Sequence, residues 1–121
     1  SKRTDAQLQV VRKADMKVLS SQKGNFQSKA LFPLDISRRV EFYELLLKAG
    51  SVERAVPHPA GTAENIVIAE GELEIEIGGQ KTLLKEGDSI YFVADVPHIY
   101  RSIGNKDCRA YLVMTYAEKR I

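Results

Sequence analysis

The clearest alternation of hydrophobic and polar positions is LEIEI at residues 73–77, where apolar and acidic residues change places at every step. A period of two marks a strand with one buried face and one wet face. Gly78-Gly79 then predicts a two-residue hairpin turn, because glycine adopts positive φ at little steric cost. QKTLL (80–84) predicts the returning strand. The same pattern continues to the end of the chain: turn signals at Lys85–Asp88, Asp95–Pro97 and Gly104-Asn105 separate SIYFV, HIYRSI and CRAYLVMTY, each a predicted strand. Upstream, NIVIAE (65–70) is a β-branched run closed by Gly71, with Glu64, Ile66 and Ile68 predicted to share one face.

The first third is less regular. VVRKADMKVLS (10–20) predicts two short strands around a charged, turn-like centre from Arg12 to Asp15. A strand is expected over 26–32, bounded by Gly24-Asn25 and Pro33. VEFYELLLK (40–48), closed by Gly50, has some helical character but reads as a strand beside so many others. Many short strands with Gly or Pro turns between them predict an all-β sandwich or barrel.

Composition narrows the class. The 121 residues, 44% of them hydrophobic, suffice for one domain with a real core. No apolar run is long enough to span a membrane and no stretch reads as a signal segment. With one cysteine, Cys108, an internal disulfide is excluded, which fits a reducing compartment and a cytoplasmic protein without membrane partners. A net charge of +2 argues against the domain itself being a nucleic-acid platform. Residues 1–30 nevertheless carry seven lysines and arginines against Asp5 and Asp15 alone. Either this is a solvated first segment or a linker leading from something that touches DNA. Residues 1–9 are expected to be a linker or N-terminal extension and residues 10–121 the domain; the start at Ser1, without methionine, suggests a fragment, a processed product or an expressed portion of a gene.

Chemistry is concentrated in HPAGTAE (58–64) and at the start of HIYRSI. His58, Glu64 and His98 all fall near strand ends, which a barrel can bring to one mouth. Two imidazoles and a carboxylate form a three-ligand set suited to zinc, iron, manganese or nickel, with coordination positions left open. The alternatives are a rigid loop histidine between Pro57 and Pro59 and a strand-end carboxylate. Tyr100 shares the predicted face of His98 and is the best ligand contact among Tyr43, Tyr91, Tyr100 and Tyr111, which otherwise read as barrel core. Arg101 and Arg109 read as solvated, Cys108 as a small core or edge residue, and the comb Glu70, Glu72, Glu74, Glu76 as a solvent face that discourages edge pairing.

Residues 43–116 resemble a small single-domain cupin. His58, Glu64 and Gly71 match the first cupin motif in register, with Ala60 at the second histidine and Val52 at the opening glycine. Gly87 and His98 match the second motif, while Val93, Asp95 and Ser102 replace its Pro, Gly and Asn. HPAGTAE, EGELEIEIGG, LKEGDSIYFVADVPH and YLVMTY look especially like the effector domains of bacterial regulators that carry an XRE-type helix-turn-helix. The resemblance implies a jelly-roll (double-stranded β-helix) barrel with a small-molecule pocket. It also implies a DNA-binding domain upstream, outside this chain, and a homodimer. His58, Glu64, His98 and Tyr100 would then bind the effector, with the first three able to hold a divalent metal. A small metal-dependent cupin enzyme of the dioxygenase or isomerase type, and a storage barrel without ligand, are the competing readings.

Overall fold

The computed structural model describes residues 8–21, 23–32 and 39–117. The expected linker lies almost wholly outside them, as does the Pro33 break. Among the described residues there are ten strands: β1 (Val18–Ser20), β2 (Phe26–Ala30), β3 (Val40–Leu47), β4 (Val52–Ala55), β5 (Ala63–Glu70), β6 (Glu72–Ile77), β7 (Gln80–Leu84), β8 (Ser89–Val93), β9 (His98–Ile103) and β10 (Cys108–Thr115). A six-stranded sheet runs β1-β2-β3-β10-β5-β8 and a four-stranded sheet runs β4-β9-β6-β7, with every pairing antiparallel. The two sheets enclose one core. Among the described residues no helix is long and apolar enough to cross a membrane.

Alternation builds this core. β5 turns Glu64, Ile66 and Ile68 inward, β10 turns Cys108, Ala110, Leu112 and Met114 inward, and β6 contributes Leu73 and Ile75 from the opposite sheet. Each fully buried Leu or Ile contributes about 1.5–3 kcal/mol through apolar surface removed from water. Cys108 is fully buried and burial pushes its thiol up to about 11, so it is a small core residue and a poor nucleophile. Gly78 and Gly79 both have positive φ, and Ile77 pairs with Gln80 across the predicted hairpin turn.

Several expectations are corrected. In residues 10–20 only 18–20 form a strand; Lys13–Asp15 make a short 3-10 turn, because the first apolar burst has no partner strand. β4 was not expected, since its apolar residue Val52 faces out and Glu53 lies on the cavity side. The acidic comb does not guard an edge: β6 lies between β9 and β7. Arg101 is held rather than freely solvated, its Nη1 donating to Glu74 at 2.9 Å and to Glu76 at 2.8 Å across the β6–β9 pair. Of the four tyrosines only Tyr100 is core; Tyr91 is 67% exposed, Tyr43 is half-buried, and Tyr111 sits on the outer face donating to Glu44.

Candidate functional site

The site is assembled by three hydrogen bonds between a loop and a corner. The loop between β4 and β5 carries His58, and the corner between β8 and β9 leads into His98. The His58 N–H donates to the Ala94 carbonyl at 3.0 Å, and the Ala94 N–H donates back to the Thr62 carbonyl at 2.7 Å. The Gly61 N–H donates to Asp95 Oδ2 at 3.1 Å, so the residue that replaces the motif glycine acts as a clasp on the loop. These bonds bring His58 over the inward face of β5, where Glu64 sits.

The structure brings His58, Glu64 and His98 together, with one donor atom from each inside a 4.8 Å sphere of mutual distances. Glu64 Oε2 lies 3.1 Å from His58 Nε2 and 3.2 Å from His98 Nε2. Glu64 and His98 have side chains 1% and 0% exposed, while His58, at 27%, is the member that meets solvent. Tyr100 donates its hydroxyl hydrogen to the other carboxylate oxygen, Glu64 Oε1. Burial alone would push the Glu64 carboxyl up, but its contacts with His58, His98 and Tyr100 prevail and hold it at about 2. Burial likewise lowers His98, and the Glu64 carboxylate and the Val96 carbonyl more than offset this, so His98 stands above its ordinary value.

The donor set fits a divalent metal. Neither Glu64 Oε2 nor His98 Nε2 is aligned for a hydrogen bond, although both are buried. Ligands at metal bonds of ~2.0–2.1 Å stand ~3.0–3.4 Å apart, depending on geometry, which brackets the two spacings from Glu64 Oε2 to the imidazoles. His98 Nδ1 lies 2.9 Å from the Val96 carbonyl, which can only accept. In the neutral ring the proton therefore sits on Nδ1, and Nε2 offers its lone pair to the site. Phe92 and Tyr100 meet the His98 ring edge-on, each with centroids 5.4 Å away, fixing its orientation.

A cavity of about 210 Å³ adjoins the group. His58, Glu64 and Tyr100 reach its wall; His98 lies behind them and does not line it. The rest is mainly apolar, including Phe26, Leu45, Leu112 and Met114. Sequence reading found the three-residue group and Tyr100 but missed Glu53, Ser28 and Leu19, which also line the cavity. For Glu53 the sequence gives the wrong signal, because an inward carboxylate on a short strand reads as its wet face.

Tyr100→Phe tests how the group is held. Loss of an outer partner of a ligand costs roughly 10–100-fold in metal affinity. Zinc titration of the variant should show a loss in that range with the fold retained; an unchanged affinity would mean Tyr100 does not position Glu64.

A double-sheet barrel with a cavity open to solvent, beside which two imidazoles and a carboxylate converge, defines the class. The chain belongs to the cupin family: residues 43–114 match the Cupin_2 cupin domain. It is 30% identical over 87 residues to the HTH-type transcriptional regulator SutR of Escherichia coli K12, covering 72% of this chain and 49% of that protein. The chain thus spans about half the length of this curated relative. Its fold is similar to the crystal structure of the Cupin_2 domain of an XRE family transcriptional regulator from Enterobacter cloacae, at 29% identity and a TM-score of 0.73, covering 78% of this chain and 99% of that one. It is also similar to an HTH_3 family transcriptional regulator from Vibrio cholerae, at 25% identity and a TM-score of 0.72, covering 78% of this chain and 53% of that one.

Proposed function

We propose that this chain is the effector-sensing domain of a cytoplasmic, DNA-binding transcription regulator. Its cavity takes a small molecule, His58, Glu64 and His98 hold a divalent metal (zinc, iron, manganese or nickel) beside it, and DNA is reached only through a separate helix-turn-helix domain. One observation carries the reading: a largely apolar cavity bordered by Glu64, on which the imidazoles of His58, in the same wall, and His98, behind it, converge. The similarity to helix-turn-helix regulators supports the regulatory part. A bound metal would supply a Lewis-acidic centre with open positions for a donor atom. The chain's own residues do the rest: Tyr100 orients Glu64, the Val96 carbonyl sets the His98 tautomer, and apolar residues strip water from the ligand.

A regulator must also transmit. β1 is an edge strand with all three residues exposed, Leu19 at 57%, and Leu19 also lines the cavity. Pairing of β1 with a second copy would cover its free backbone groups and join cavity to dimer, so that a ligand preferring one arrangement shifts the population. Sedimentation of the chain should show a dimer that Leu19→Lys weakens; a monomer at all concentrations would remove this interface.

The direct test is a calorimetric titration of tag-free protein with zinc and iron(II), followed by dioxygen-uptake assays. One ion per chain without turnover is expected. An alternative, a small metal-dependent enzyme of the dioxygenase or isomerase type, draws on the same open positions. Substrate loss coupled to stoichiometric metal would establish the enzyme instead.

A further inference from the structure

β4 reverses the usual alternation. Val52 is 49% exposed on the outside, whereas Glu53 lines the cavity. The register requires this: Glu53 stands directly opposite Tyr100, and Ala55 opposite His98. Two carboxylates therefore flank Tyr100, Glu64 through its hydrogen bond and Glu53 across the strand pair.

Among the described residues Glu53 forms no ion pair within 4.0 Å. No lysine or arginine lines the cavity. The nearest cations in sequence and register, Arg54 and Arg101, alternate to the outer face, where Arg101 is engaged by Glu74 and Glu76. The same wall carries a second carboxylate, Glu64, whose Oε2 lies 3.1 Å from His58 Nε2 and 3.2 Å from His98 Nε2. The aromatic lining points the same way. Phe26 is stacked on Tyr100 at 6.5 Å between centroids with 6° between planes, and Tyr43 lies in the same wall. Aromatic faces attract cations, and a carboxylate beside apolar surface gains most from a charged donor.

We propose that Glu53 is the specificity-determining residue of this cavity, selecting small apolar ligands that carry a cationic, alkylammonium-type group over anionic ones of the same shape. This rests on the cavity being a ligand site, as read above, and names the charge that the ligand must bring. It applies to the chain without metal, since a divalent cation on the neighbouring group would offset the negative charge of the wall.

The test uses two probes with the same short tail, n-pentylammonium and pentanoate, titrated into the 121-residue chain at pH 7 and followed by NMR. The ammonium should bind more tightly than the carboxylate. Glu53→Gln should weaken ammonium binding roughly ten- to a hundredfold, the scale of one charge-assisted contact, and abolish the preference. Glu53→Asp, which keeps the charge, should retain it and serves as the check that strand β4 tolerates substitution. Equal binding of the two probes, a preference for pentanoate, or a preference that survives Glu53→Gln in a folded protein would overturn the proposal. Zinc titration of the same samples separates the two claims: a chain that holds no zinc but prefers the ammonium sinks the metal reading and supports this one.

Discussion

Glu64→Gln is expected to abolish metal binding while leaving a folded barrel. Glutamine has nearly the same shape and can still accept from Tyr100, but it loses the charge that two imidazoles and a metal share. Since an outer partner alone is worth 10–100-fold, losing the ligand itself should cost roughly 100-fold or more in zinc affinity. Without metal the variant should also be less stable. A carboxyl held at about 2 rather than at 4.5 stabilises the fold by about 3 kcal/mol once it is ionised. Urea unfolding near pH 6 reads this difference directly; equal stability there would mean that the Glu64 contacts are not formed in solution.

The pH dependence follows with definite sign. Glu64 is depressed, so its contribution is present above the unfolded value of 4.5 and is lost as pH falls through about 2. His98 is raised, so its contribution is complete below 6.5 and fades as pH rises through its folded value. The metal-free site therefore stabilises the fold most between pH 4.5 and 6.5. Metal reverses the second limb, because it requires the imidazoles neutral. Zinc affinity should rise with pH through and above 6.5, and zinc-induced stabilisation should be greatest where the metal-free site has begun to weaken. Thermal unfolding with and without zinc from pH 4 to 9 would show two curves diverging on the alkaline side; parallel curves would contradict the shared site.

The second large effect is expected at Gly71. Here the chain leaves the six-stranded sheet at β5 and enters the four-stranded sheet at β6, just past a register shift opposite Arg109 and Ala110. Gly71 has φ +79°, and a Cβ there would stand 2.5 Å from the Asp107 carbonyl oxygen and 3.0 Å from Cys108 Cα. Both neighbours are backbone at the head of a core strand and cannot yield cheaply. The left-handed conformation alone costs ~1–2 kcal/mol for a residue with a side chain, and displacing β10 adds to it. Gly71→Ala should lose about 3 kcal/mol or more by urea unfolding. Gly79→Ala is the control: its φ is +80°, but a Cβ there meets nothing within 4 Å, so only the conformational ~1–2 kcal/mol should be lost. Equal losses at the two positions would show that the close approach at Gly71 is not energetically important.

Gly71 also shows why part of the fold was legible. It closes a strand, and its spacing from His58 and Glu64 is a property of chain geometry that the sequence displays openly. The regular half, from β5 to β10, alternates as a strand facing a core and water must, so its elements and inward faces could be read with few errors. The site was readable for the same reason: Glu64 falls in phase with Ile66 and Ile68, and His98 with Tyr100 and Ser102. What went unread was β4, whose inward face carries a carboxylate. Glu53 lines the cavity and Glu41 is buried at 8% exposure, while Val52, Val40 and Phe42 are exposed. In β4 the alternation is inverted and no strand was read there, whereas β3, inverted only at its start, was read as the strand it is. The loop tethers that align His58 with His98 run through backbone groups and Asp95, and backbone hydrogen bonds leave no mark in composition.

The central claim is that His58, Glu64 and His98 converge on one point inside the barrel. Crystals grown with zinc and measured above and below the zinc absorption edge test it most directly. One strong anomalous peak per chain is expected, about 2 Å from His58 Nε2, Glu64 Oε2 and His98 Nε2. A saturating zinc soak that leaves that point empty, or a peak bound elsewhere with the two imidazoles turned apart, would contradict it.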